Sequence, residues 1–176
     1  MRAKWSVFVF FLALYLLTAG GHTYSTDEES MFFVTAAMAR RGGFDTPSMQ
    51  EAPVSAPMRG IDGKLYAPYG LLPSALALPF YHVGAIVSSF LPRIYQGYFL
   101  RFAITFFLNP FFTALTAVLL LEAILVLGYS FRVALVTTFL FGLGTMAWVY
   151  AKTFFSEPLL TLLWVGAFLA LIKYHK

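Results

Sequence analysis

The chain has 176 residues, 60% hydrophobic and 11% charged, with a mean hydropathy of +0.76. Soluble domains carry roughly 25% charged residues, so an ordinary globular enzyme is excluded and an all-α, polytopic membrane protein is expected. With no cysteine, disulfides, thiolate metal sites and cysteine nucleophiles are excluded, and the net charge of +4 comes from scattered basic residues with no run suited to nucleic acid.

Arg2 and Lys4 precede an apolar run from Trp5 to Gly21. A cleaved signal peptide is one reading, since Thr18-Ala19-Gly20 offers small residues. An uncleaved first span over 5–21 is preferred, because the run nears spanning length, Trp5 is an interface anchor, and more apolar segments follow. The two basic residues put the N-terminus on the cytoplasmic side.

His22 to Gly43 is the segment around which the chain is organised. Asp27, Glu28 and Glu29 open it, and Arg40, Arg41 and two glycines close it. Thr26-x-x-Glu29 reads as a capping box, the charges suit the helix dipole at both ends, and Gly42 suits a left-handed C′ position. Met31, Val34 and Met38 share a face that Phe33 and Ala37 widen. A short amphipathic helix at the outer membrane surface is expected.

Residues 44–64 hold Pro47, Glu51, Pro53, Pro57, Gly60 and Gly63 and read as an external loop, either a plain connector or a cover over substrate. Gly60 to Lys64 reads as a turn. Leu65–Leu91 is apolar but carries Pro68, Gly70, Pro73, Pro79 and Gly84. It suits a kinked span, short surface helices or a re-entrant segment. Further spans are expected at 102–127, 133–150 and 159–172. Pro110 should kink the first of these, and Glu122 within it should be neutral or snorkel to the interface. Gly142, Gly144 and Ala147 offer close helix contact in the second. Ser156 should cap the third, with Glu157 and Pro158 in its first turn.

The order of these motifs, S-T-D-E-E-S-M-F-F-V-T-A-A-M-A-R-R-G after a first span, then G-K-L-Y-A-P-Y-G-L-L-P, then Arg101 and Glu157-Pro158, resembles the GT-C fold glycosyltransferases. The protein mannosyltransferase and aminoarabinose transferase group, which uses polyprenyl-phosphate sugars, is the nearest in pattern. The resemblance implies four spans here, with 22–101 as one external loop carrying surface or re-entrant helices, in the cytoplasmic membrane. It implies Asp27 as catalytic base with Glu28 as orienter or second acid, and Arg101 as the group that meets the lipid phosphate, backed by Lys64, Arg40 and Arg41. Glu157 stands as a second acidic motif on the same outer side. A carboxylate at the interface suits proton abstraction, and an arginine suits the departing phosphate. The acids would also suit a divalent cation, whose use the resemblance leaves open.

Such enzymes have more spans than four. The chain is therefore expected to be the N-terminal part of one, inactive alone, with a second chain as a route to the missing spans. The alternative is a non-catalytic membrane module, or a truncated fragment, that binds lipid phosphate or a partner chain. A transporter fragment fits less well, because Glu122 is the one clear mid-span acid and no paired broken helices are visible.

Overall fold

A computed structural model describes residues 2–47 and 57–175. Glu51 and Pro53 of the sequence reading lie outside the described residues. The described chain is mostly helical, in the order α1 (Arg2–Thr18), α2 (Thr26–Arg41), β1 (Met58–Arg59), β2 (Leu65–Tyr66), α3 (Leu71–Ser88), α4 (Arg93–Val126), α5 (Phe131–Gly144), α6 (Met146–Tyr150) and α7 (Glu157–Tyr174). Three of these helices, α3, α4 and α7, are long and apolar enough to cross a membrane. The chain is thus a helical protein with membrane-spanning capacity.

Several elements differ from the sequence reading. The helix expected over 102–127 begins at Arg93 and runs 34 residues, about 51 Å. It continues through Pro110 as one element. The segment expected as one span over 133–150 is instead two helices, divided at Thr145. The Thr145 hydroxyl explains the division: it donates to Phe141 O at 2.6 Å and accepts from Ala147 N at 3.1 Å, ending α5 and capping α6. The α1 helix has 17 residues and α5 has 14, both shorter than the three spanning candidates. Leu65–Leu91 resolves into a strand and one 18-residue helix that keeps Pro79 in its interior and Pro73 in its first turn.

The chain forms two compact units. One takes the chain up to Ala19, Asn109–Lys152 and the chain from Ser156. Its core is Val7, Phe11, Tyr15, Ala114, Ala117, Leu121, Ala134 and Ala151, and the buried Tyr15 hydroxyl donates to Gly142 O at 3.0 Å. Glu122 is ion-paired here rather than neutral. It pairs with Lys4 at 2.9 Å and with Lys173 at 2.5 Å, joining α1, α4 and α7. Ser156 precedes α7 with helical backbone angles and makes no side-chain cap bond, so the expected hydroxyl cap is replaced by Pro158 and Glu157 in the first turn.

The other unit takes Gly20–Leu108 and Thr153–Phe155. Here α2 packs on α3. Met31, Phe32, Val34 and Ala37 bury one side of α2, a face rotated from the predicted one because Phe32 goes inward while Phe33 and Met38 stay half-buried. The Ser74 hydroxyl donates to Met31 O at 3.1 Å across this contact. Gly84 brings α3 against α4: a Cβ there would lie 2.8 Å from Ala103 Cβ. The strands form a hairpin with Met58 opposite Tyr66 and Arg59 opposite Leu65. Its turn is the expected Gly60–Lys64 segment, closed by Gly60 N–H to Lys64 O at 2.8 Å. Asp62 braces it by accepting from Tyr66 Oη at 2.7 Å.

Candidate functional site

The first turn of α2 concentrates the chemistry of this second unit. The helix start is set one residue earlier than Thr26-x-x-Glu29 predicts. Ser25 is the N-cap, with extended backbone angles, and its hydroxyl accepts from Glu28 N at 3.3 Å. Glu28, at the third helical position, reaches back to accept from Tyr24 N at 3.1 Å. Ser25 and Thr26 are both competent caps, so the sequence admits either register; Glu28 decides between them because its side chain goes inward. At the other end Gly42 adopts φ 65° and donates to Met38 O, as predicted for a left-handed C′ residue.

Glu28 is fully buried. Its second carboxyl oxygen accepts from Phe154 N at 2.8 Å. Both oxygens are thus held by N–H donors, which ties the start of α2 to the Thr153–Phe155 segment. Burial pushes this carboxyl above the usual range, opposed by the hydrogen bonds from Phe154, Tyr24 and Ser25 and helped by the neighbouring charge of Glu29.

Glu29 makes the strongest pair of the unit. Arg101 Nε donates to Oε1 at 2.7 Å and Nη2 to Oε2 at 2.6 Å, a bidentate fork. The Thr23 hydroxyl also donates to Oε1. Arg101 further donates to Gly97 O at 2.9 Å and lies 4.1 Å from the centroid of the Phe32 ring. Burial alone would raise the Glu29 carboxyl; the hydrogen bonds from Arg101 and Thr23 and the guanidinium charge outweigh it and hold the group below its ordinary value.

Asp27 sits between these residues and Thr26, partly exposed, and accepts from the Thr26 hydroxyl at 3.5 Å. Glu29 and Arg101 are thus in contact, and Asp27 and Glu28 share the same helix turn. The other basic candidates do not join them. Arg40 and Arg41 occupy the far end of α2, 12 and 13 residues from Glu28, or about 18–20 Å along the axis. Arg41 pairs with Asp45 at 3.2 Å, while Arg40 lies 6.0 Å from the Tyr81 ring centroid. Lys64 is exposed on the hairpin turn, where its backbone N–H donates to Asp62 at 3.1 Å.

Glu157 belongs to the other unit. One of its carboxyl oxygens is buried without a hydrogen-bond partner among the described residues. It lines a cavity of about 240 Å³ with Thr113, Thr116, Tyr150 and Thr161. Among the described residues no group of three potential ligands from His, Asp and Glu gathers. Glu28 and Glu29 each hold protein donors on both carboxyl oxygens.

Two participants escape the sequence reading. Glu29 looks like one more helix-start acid, yet it is the partner of Arg101, 72 positions away. The amide of Phe154, 126 positions from Glu28, carries no side-chain signal at all. Compared with protein-family models, with curated proteins and with solved structures, the chain matches none.

Proposed function

We propose that the chain is part of a membrane glycosyltransferase that moves a sugar from a polyprenyl-phosphate donor to an acceptor at the outer face of the cytoplasmic membrane, with its N-terminus inside. The observation that supports a transferase is the acidic turn of α2. Three consecutive carboxylates stand there, two of them locked by protein donors, beside an arginine stacked on Phe32. The donor class follows from the motif resemblance.

In the proposed reaction Asp27 takes the proton of an acceptor hydroxyl or amine. The acceptor atom attacks the anomeric carbon, the bond from that carbon to the phosphate oxygen breaks, and polyprenyl phosphate leaves with the electron pair. Direct displacement inverts the sugar carbon. Glu28, buried and held at both oxygens, orients the turn. Arg101 engages its Nε, Nη1 and Nη2 once each; a guanidinium has five N–H groups, so two remain to meet phosphate oxygens.

A second reading has its own observation. Glu29 and Arg101 neutralise each other, and Glu28 bonds to backbone, so the same charges also serve as a latch in a non-catalytic module that binds lipid phosphate or a partner chain. One experiment separates the two. Asp27→Asn is introduced into the chromosomal gene, and polyprenyl-phosphate sugars are measured by mass spectrometry of membrane lipids. A transferase predicts that donor lipid accumulates as in a deletion strain, with the protein still inserted at normal level. Donor lipids unchanged in both the deletion and the variant would overturn it.

A further inference from the structure

The turn between α3 and α4 carries a second charged cavity that shares no residue with the acidic cluster. Its volume is about 560 Å³. Three helices line it: α2 with Arg40, α3 with Tyr81, His82 and Ser88, and α4 with Arg93 and Gln96. No acid lines it. Neither Arg40 nor Arg93 forms an ion pair among the described residues, in contrast to Arg41 and Arg101. Two arginines that line one cavity with no acid beside them suit an anion. Arg93 also opens α4, where first-turn amides favour negative charge.

The surroundings say what kind of anion this is. The cavity sits where α3 ends and α4 begins, and both helices are long and apolar enough to cross a membrane. In the same stretch of chain, next in sequence to the lining residues Ser89 and Arg93, Phe90 and Ile94 are 85% and 82% exposed, apolar side chains that a free, fully hydrated anion would not need. A guanidinium fork matches phosphate oxygens bidentately, and basic pockets at helix ends suit lipid head groups.

We infer that the cavity between the last turn of α3 and the first turn of α4 binds the phosphate of a net-anionic membrane amphiphile, with Arg40 and Arg93 on the phosphate and Phe90 and Ile94 on the chain, a head group with its own cation being disfavoured between the two arginines. This site differs from the sugar-transfer site and does not depend on it.

The test uses the full chain in neutral detergent and native mass spectrometry with two probes, dioleoylphosphatidylglycerol and dioleoylphosphatidylcholine. The anionic lipid should bind about ten-fold more tightly, the size expected for charge-assisted bonds to phosphate. Arg40→Gln/Arg93→Gln should abolish that preference, whereas Arg59→Gln, on the hairpin, should keep it. Arg93→Gln alone, at an exposed position, should lower the preference in a chain whose unfolding is unchanged, which covers a failure of the double variant to fold. Equal binding of the two lipids by the parent chain, or a preference that survives in the arginine variants, would overturn the assignment. Displacement by low millimolar inorganic phosphate with no advantage for the lipid would assign the cavity to a free phosphate and equally defeat it.

Discussion

Glu28 and Glu29 are neighbours in sequence and opposites in environment. Glu28 loses water and is pushed up; Glu29 gains a guanidinium and is held down. A raised carboxyl contributes stability in full below its ordinary value of 4.5, and that contribution fades as pH rises through the folded value. A lowered one contributes above 4.5 and fades as pH falls through its folded value. The advantage of the parent chain over Glu28→Gln should therefore shrink as pH rises above 4.5, and its advantage over Glu29→Gln should shrink as pH falls below 4.5. Unfolding by denaturing detergent across this range checks both, and slopes of the same sign for the two variants would contradict the assignment. Apart from pH, Glu28→Gln replaces one acceptor by a donor facing Phe154 N or Tyr24 N, which should cost about 1–3 kcal/mol. The sequence shows three acids in a row but not this split, because the distinction comes from partners 72 and 126 positions away.

Among the elements, what local chemistry dictates is what the sequence displays. The extent of α2, the left-handed Gly42 and the turn at Gly60–Lys64 all follow from residues within a few positions of one another. Where tertiary contacts decide, local patterns mislead. The buried face of α2 is rotated toward Phe32 because Arg101 stacks there and α3 packs beside it. Thr145 divides α5 from α6 within a run that is apolar on both sides of it, because one hydroxyl serves two helix ends. The join of α3 to α4 at Gly84 is likewise invisible in a list of glycines. Gly84→Val should overpack against Ala103 and destabilise the chain by about 1–3 kcal/mol, read by the same detergent unfolding. Gly144→Val, with nothing within 4 Å of its Cβ position, should cost less, and the reverse order would contradict the packing described for the α3–α4 join.

At the scale of the whole molecule, the composition points to a membrane protein, the described residues are mostly helical, and three helices have the length and apolarity to cross. The pairing of Glu122 with Lys4 and Lys173 gives one unit a charged end that hydropathy reads only as a penalty. The other unit holds the acidic turn, so transfer chemistry at an outer membrane face requires that turn to face outside. The absence of native cysteine makes this directly measurable. Ile61→Cys on the exposed hairpin turn and Tyr129→Cys on the exposed α4–α5 connection are labelled in intact cells with a membrane-impermeant maleimide. The account predicts that Ile61→Cys reacts in intact cells and that Tyr129→Cys reacts only after permeabilisation. The inverse pattern would put the acidic turn on the cytoplasmic side and contradict an outer-face transferase.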